Sequence, residues 1–479
     1  MDIKWQPIFT AKTPTLFQWY IFEGEKKKYF KNVLNLEVAY TSGKNVLDEI
    51  SYDLNELIAM EKRFSTEIKS NPDFIPNYIR TCYQKCNRLL SISKRLGKTK
   101  NLKNIKTIVL LPLYQKYQKA VFEIMPFMTT PMVIDRILKK KLVNLFESKL
   151  GIKNKAEQDL LISKLVIPKK KNYFVKEQDN LLRIAVKLQK NKNIDISQDI
   201  EKHLRLYAWT STNVYLGKLQ TRQSIKTKLQ EILKKNPIKI LSKNKRDKEQ
   251  SLKLFDEALL SVNGYKGAES LINLAREFLF LQTHKMEVLF LAHYYMCPFF
   301  EEIGKRFKIN LGELIYLTGE EVTGLLENTY KLDKKLIKER MKNVSIIKEH
   351  NKVMVFSGDD IKKVIKRTIS ATMVKGSVAC RGKVIGKAKL LFEEEDMVKI
   401  NKGDIIVSPM TRPHFVPVMK KAAGIVTDFG GILCHAALIS REFGIPCIVG
   451  TNDATKIFND GDIIELNAYE GIVRKIGNN

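Results

Sequence analysis

The sequence predicts a multidomain α+β protein, with a large, mainly α-helical N-terminal region and a small C-terminal α/β domain. Three observations carry that reading. The chain has 479 residues, more than one hydrophobic core ordinarily organises, so two or three domains are expected. Near residue 370 the hydrophobic pattern changes from helical spacing to short β-branched runs between glycines. The charge changes at the same place. From residue 371 onward 14 Lys+Arg face 12 Asp+Glu, so the first 370 residues hold +29 of the net +31.

Within the first 350 residues, "SYDLNELIAMEKRFSTEIKS" sets Leu54, Leu57, Ile58 and Met60 at helical spacing with charges on the other side. Similar patterns cover 178–190, 223–235, 252–262, 269–293 and 332–348. Breaks are expected at 71–76, 166–172, 234–250 and 261–267, where Pro, Gly or charge clusters interrupt the pattern. The lysine-rich stretch 236–250 is expected to be a mobile loop. After residue 370, "GSVACRGKVIGKAKLLF", "GDIIVSPM", "AGIVTD", "PCIVGT" and "GDIIELNAYEGIVRKI" read as strands. Helices are expected near 414–422 and 434–443, the second stopped by Gly444 and Pro446. The expected division is a helical region at 1–356, a linker at 357–371 and a compact domain at 372–479.

Composition narrows the function. Hydrophobic residues make up 44% and charged residues 28%, which is globular rather than disordered. The net positive charge invites a polyanionic partner. The excess, however, is lysine in scattered runs such as Lys26–Lys28, Lys139–Lys141 and Lys169–Lys171, without arginine interleaved with aromatics, so nucleic acid is set aside as a partner. Six cysteines in a chain this long make no disulfide framework. Cys82 and Cys86 lack a second pair at metal spacing, so no metal site is expected. The N-terminus has no apolar signal core, and 286–300 is too short for a membrane span and contains Glu287 and His293. A cytoplasmic protein is expected, with no membrane partner.

The stretch "AGIVTDFGGILCHAALISREFG" reads as strand, glycine turn and helix. Gly430 and Gly431 allow a tight turn and a close backbone approach. A helix start beside His435 leaves free N–H groups and a positive dipole end, which suits phosphate and disfavours the imidazolium. A neutral histidine there can accept a phosphoryl group. It can equally be a histidine that only packs at a helix start, and these residues taken alone leave both readings open.

The stretch "GGILCHAALISREFGIPCIVG", with "GDIIVSPMTRPHFVPVMKKAAGIVTDFGG" before it and "DGDIIELNAYEGIVRKI" after it, resembles the phosphohistidine swivelling domain. That mobile domain occurs in phosphoenolpyruvate synthase, pyruvate phosphate dikinase and rifampin phosphotransferase. The likeness covers about 372–476, and its Gly-Gly-x-x-Ser/Cys-His-Ala-Ala core is specific. It implies a transient phosphohistidine at His435, loaded from ATP and discharged to a second substrate. Thr427, Gly430, Gly431, Cys434 and Arg441 match motif positions and are expected to support the loop and its phosphate. Asp428 stands where Glu is common. By residue type, Thr411 and Arg412 are phosphate contacts, and Arg412 is added to the set. The swing between two sites implies a hinge within 357–376.

The resemblance also implies parts that this sequence does not display. No glycine-rich phosphate loop stands at a strand–helix junction in 1–350, and 44 residues follow His435, too few for a pyruvate-binding barrel. The expectation is therefore one subunit of a split phosphotransferase. An ATP-grasp protein acting in trans would bind most of the ATP and Mg2+, and a small-molecule acceptor would sit on the helical region. Pyruvate, a phenol, an antibiotic hydroxyl and water remain open as acceptors. Arg276, Glu277, His284 and Lys285 on an otherwise apolar helix are the candidate acceptor pocket, with the alternative that they are ordinary core or surface residues. The competing reading of the whole chain is a non-catalytic phosphocarrier or regulatory binding protein.

Overall fold

A computed structural model of the chain describes residues 5–10, 13–46, 49–99, 101–212, 218–262, 264–361, 373–412, 415–431 and 434–477. The chain divides into two compact units, one of Met1–Gln6, Lys12–Leu47 and Tyr52–Ser357, the other of Pro7–Ala11, Asp48–Ser51 and Gly358–Asn479. The expected linker lies outside the described residues from position 362 onward. Among the described residues no helix is long and apolar enough to cross a membrane.

The first unit is organised by one long helix, Ala268–Arg306. Ile272, Phe278, Leu281, Val288, Ala292, Met296, Phe299 and Ile303 recur at helical spacing along it and are buried. Its principal partner is helix Phe74–Gly97. The two meet so closely at Gly97 that a Cβ there would lie 1.7 Å from the Tyr295 carbonyl oxygen, so glycine is required by the contact.

Two features depart from the sequence reading. Residues 236–250, expected as a mobile loop, open a helix running from Pro237 to Ser261. Asn236 caps it by accepting from the Lys239 N–H, and Pro237 occupies the first turn, where its missing N–H costs nothing. Lysine is a good helix former, so a charge run alone does not break a helix. The second departure is a sheet within the region read as helical. The strands are β1 (Trp5–Thr10), β2 (Gly43–Val46), β3 (Glu49–Asp53), β4 (Val344–Glu349) and β5 (Lys352–Ser357), and within the first unit β4 lies between β2 and β5, antiparallel to both. β4 and β5 pair antiparallel from Val344 opposite Ser357 to Glu349 opposite Lys352. His350 and Asn351 make the two-residue turn, at φ 50° and 65°.

The second unit holds an eight-stranded sheet: β6 (Met373–Lys375), β7 (Ser377–Cys380), β8 (Lys383–Leu390), β9 (Ile405–Ser408), β10 (Gly424–Thr427), β11 (Cys447–Val449), β12 (Ile463–Asn467) and β13 (Ile472–Gly477). Their order is β6-β13-β12-β8-β9-β10-β11-β7. The central run β8-β9-β10-β11 is parallel, and antiparallel strands flank it on both sides. Of these, β9, β10 and β11 are buried on both faces, which is why they read as continuous apolar runs, whereas β8 is exposed over its first half. Ile406, Ile425, Cys447 and Val449 join the core on one face, while Ile405, Val407, Val426 and Ile448 join the other. β7 to β13 occupy the glycine-bounded segments from which strands were expected, and β6 precedes the first of them. A four-residue helix covers Val416–Met419, and the longer helix runs from His435 to Phe443, stopped by Gly444 at φ 67°. This placement sets β9 and β10 side by side, with their carboxyl ends leading into the two loops that form the site, as ligand sites of parallel sheets require.

Candidate functional site

Thr427 ends β10 and is wholly buried. Its hydroxyl donates to the Phe429 carbonyl at 2.8 Å, and its own carbonyl accepts the Thr451 N–H at 3.0 Å. Asp428 follows, also buried, and turns its carboxylate inward. There it accepts from the Thr451 hydroxyl at 3.0 Å, from the Thr455 N–H at 3.3 Å and from the Thr455 hydroxyl. Burial outweighs these bonds and raises its pKa to about 6. Thr427 and Asp428 therefore brace the loop against 451–455 and do not reach into the site.

The raised carboxyl has a measurable consequence. Between the unfolded-state value near 3.8 and the folded value of about 6, the folded unit binds a proton that the unfolded chain has lost. Stability of the C-terminal unit should therefore fall as pH rises from about 4 to about 6, by roughly 2–3 kcal/mol, opposite to the usual carboxylate trend. Urea titrations at pH 4.5 and pH 7, with and without Asp428→Asn, check this. The variant should flatten that part of the profile.

The glycine turn comes next. Gly430 has φ 109°, and a Cβ on it would lie 2.8 Å from the Cys434 sulfur. Gly431 differs: its φ is ordinary, and among the described residues a Cβ there would meet nothing within 4 Å. The chain therefore needs glycine at 430 for its own fold, while the space at 431 stays open. Ile432 and Leu433 lie outside the described residues. Cys434 is the residue before the helix. Its N–H donates to the Gly431 carbonyl at 2.9 Å, and its carbonyl accepts the Leu438 N–H at 3.0 Å.

His435 is the first residue of the helix, and the preceding residue, Cys434, makes no side-chain cap bond to the N–H groups at this end. The buried Ala436 and Ala437 hold that turn against the sheet. The imidazole is half-buried, and burial holds its pKa below the usual histidine value. Its Nδ1 is 2.8 Å from the hydroxyl of Thr411, which arrives from the carboxyl end of β9. When Nδ1 carries the proton and donates to that hydroxyl, the lone pair is left on Nε2. Such a group, neutral near pH 7 and set at a bare helix N-terminus, has the charge state and the surroundings that suit a phosphoryl acceptor.

The other expected residues fall in several places. Arg441 is on the same helix but donates from Nε to the Ala379 carbonyl at 2.8 Å, tying the helix to β7. Arg412 pairs with Glu393 at 2.7 Å on the surface. On the long helix of the first unit, the four acceptor-pocket candidates do not converge. Arg276 is buried, with Nε on the Ile167 carbonyl at 2.7 Å and its guanidinium 4.0 Å from the centre of the Phe255 ring. Lys285 is buried against the Phe127 carbonyl at 2.7 Å, and burial lowers its pKa to about 8. Glu277 and His284 do share a face. Glu277 accepts from the Tyr83 hydroxyl at 2.6 Å and from Lys170 at 2.7 Å, while His284 packs among Phe280, Tyr173 and Tyr83. Among the described residues no group of three or more His, Cys, Asp or Glu is placed to hold a metal ion.

Three residues gain a role that type alone did not assign. Thr411, expected by type as a phosphate contact, instead bonds His435, and that contact needs the β9–β10 pairing. Thr451 and Thr455 carry no signal in sequence beyond their hydroxyls.

Comparison with known proteins places this site. Residues 400–471 match the family described as the PEP-utilising enzyme, mobile domain. A probable phosphoenolpyruvate synthase of Archaeoglobus fulgidus is 48% identical over 101 residues, which cover 21% of this chain and 13% of that protein. The phosphoenolpyruvate synthase of Pyrococcus furiosus is 45% identical over 103 residues, or 22% of this chain and 13% of its own length. That of Pseudomonas aeruginosa is 40% identical over 122 residues, covering 23% and 15%. The chain thus spans only about one seventh of these relatives. A holo-form crystal structure of aconitase X from Thermococcus kodakaraensis aligns with 22% of this chain and 100% of its own at 16% identity and a TM-score of 0.18, too low to support a shared overall fold.

Proposed function

We propose that this chain is a phosphotransferase component that relays a phosphoryl group through His435. The single observation that carries the reading is the setting of the imidazole. It is half-buried and held by Thr411 through Nδ1 at 2.8 Å, at the first residue of a helix whose preceding residue, Cys434, makes no side-chain cap bond. The likeness of this region to phosphoenolpyruvate synthases supports the same class of chemistry. In the first half-reaction Nε2 attacks the phosphorus of a nucleotide phosphate, the N–P bond forms and the P–O bond to the leaving phosphate breaks. In the second half-reaction an acceptor oxygen attacks the same phosphorus and returns the lone pair to Nε2. The helix N–H groups and the Gly431 turn hold the phosphoryl oxygens in both steps.

The nucleotide and its Mg2+ are assigned to a separate ATP-grasp protein. The acceptor is assigned to the helical unit, where Glu277 and His284 with Tyr83 and Lys170 are the candidate contact face. Incubation with labelled ATP and a candidate ATP-grasp partner tests the relay. Label on His435 that is lost in acid supports it. Label that survives His435→Ala, or that is stable in acid, overturns it.

Thr411 acts as a positioning residue in this reading. Thr411→Val should lower the rate of His435 phosphorylation about tenfold, the loss of one hydrogen bond that fixes the ring. The same variant should lose the fixed Nδ1–H tautomer in nitrogen NMR spectra, which a merely packing role would not alter. Thr411→Ser should restore both.

A further inference from the structure

Three thiols crowd the sheet side of the helix that bears His435. All six cysteines are free. Cys447 on β11 is the direct register partner of Cys380 on β7, and the register slips immediately afterwards, between Cys447 and Ile448. That slip leaves Ala379 and Cys380 together opposite Cys447, and all three pack in the same core cluster under the helix. Cys434, next to His435, packs against that cluster as well. Directly opposed residues of antiparallel strands have Cα atoms about 4.5–5.5 Å apart. A disulfide accepts about 4.4–6.8 Å. Cys380 and Cys447 thus already meet the backbone requirement.

We propose that Cys380 and Cys447 are an oxidation site that closes into a cross-strand disulfide and slows phosphorylation of His435; the second half of this rests on the phosphohistidine reading. Cys380 is partly exposed and meets the oxidant first, whereas Cys447 is fully buried. With hydrogen peroxide, the Cys380 sulfur attacks the peroxide, an S–O bond forms, the O–O bond breaks and one water leaves. The Cys447 sulfur then attacks the sulfenic sulfur, the S–S bond forms, the S–O bond breaks, and the thiol proton leaves in a second water. Two thiols lose two electrons and one peroxide becomes two waters. The second step is slow, because burial pushes the Cys447 thiol up to about 12. The pair therefore survives as thiols in a reducing medium and responds to sustained oxidant.

The link to His435 is structural. Arg441 anchors the helix on the Ala379 carbonyl at 2.8 Å, one residue from Cys380, and Ala436 and Ala437 rest on the same cluster. Closure draws the two Cβ atoms from about 4.5–5.5 Å to about 3.8 Å. That contraction occurs beside the helix anchor and shifts the ring that depends on it.

The test uses the full chain. Treatment with hydrogen peroxide or diamide, alkylation of remaining thiols and unreduced peptide mapping should give a Cys380–Cys447 cross-link. The cross-link should be absent after dithiothreitol and in Cys380→Ser. Consumption of thiols without it, or a cross-link from either residue to Cys434 instead, overturns the proposal. In a second arm, potassium phosphoramidate serves as a partner-free phosphoryl donor. Cross-linked protein should label at His435 at least tenfold more slowly, recover with dithiothreitol, and show no slowing in oxidant-treated Cys380→Ser. Full-rate labelling of cross-linked protein overturns the regulatory half. No label in the reduced chain is instead a failure of the phosphohistidine reading, and the cross-link map still decides the thiol pair.

Discussion

Replacing His435 by asparagine should abolish phosphoryl transfer, lowering its rate by on the order of 10⁴-fold or more, while leaving the fold intact. The argument is one of atoms. The asparagine amide can still hydrogen-bond to Thr411 and occupy the start of the helix, yet it offers no lone pair comparable to that of Nε2. The side chain is half-buried, and Ala436 and Ala437, which do hold the helix against the sheet, are untouched. The melting temperature should therefore move by no more than a degree or two, a typical surface effect. Labelling from phosphoramidate, with peptide mapping across the six histidines, measures the loss directly. In the unmodified chain, the acid limb of the labelling rate should lie below the ordinary histidine value of 6.5, because burial disfavours the charged ring. An asparagine variant that labels normally would remove His435 from the chemistry.

The second large effect separates two adjacent glycines. Gly430→Ala forces a side chain onto a residue at φ 109° and drives its Cβ to within 2.8 Å of the Cys434 sulfur. Cys434 directly precedes the helix, so relief of the clash moves His435 as well. Strain of about 1–3 kcal/mol in stability is expected, together with a fall in transfer of roughly 100-fold from misplacing the nucleophile. Gly431→Ala makes the opposite prediction for stability. Its φ is ordinary and a Cβ would meet no atom of the described residues within 4 Å, so the melting temperature should not change. If the phosphoryl group docks over that backbone, the added methyl should still slow transfer by tenfold or more. The pair of melting curves and labelling rates reads fold and ligand approach separately, one glycine for each.

Much of the C-terminal unit was legible because its signals are local. Its strands are short apolar runs between glycines, its helix ends at Gly444 and Pro446, and His435 follows a glycine pair within a few residues. The first unit was less legible where structure depends on distance along the chain. β2 pairs with β4 across some 300 residues, Gly43 opposite Lys348, and periodicity in a window of twenty residues carries no trace of that. One local sign was present: "VSIIKEHNKVMVFS" sets two β-branched-rich runs either side of a two-residue His-Asn turn, the pattern of a hairpin. The helix at 237–261 was obscured for another reason. A cluster of lysines resembles a solvated loop in composition, yet Asn236, Pro237 and the i,i+4 pairs Lys245–Glu249 and Lys253–Glu257 are compatible with helix throughout.

The candidate acceptor residues show the same division. Spacing placed Glu277 and His284 on one helix face, since seven residues make nearly two turns, and they do share a set of neighbours. Spacing could not tell that Arg276 and Lys285 turn to other partners, because the Ile167 and Phe127 carbonyls that receive them come from distant segments.

By itself, the sequence determined where the helical and sheet-forming parts lie, which histidine stands at a helix start, and that a glycine turn precedes it. These follow from short-range rules of conformation. Only the tertiary structure decided that Thr411 holds His435, that Gly430 is needed by the fold while Gly431 is not, that Asp428 braces the loop from behind, and that Cys380 faces Cys447. Each of those depends on strands far apart in the chain lying side by side, and the distances that make a hydrogen bond, a clash or a disulfide exist only once the sheet has formed.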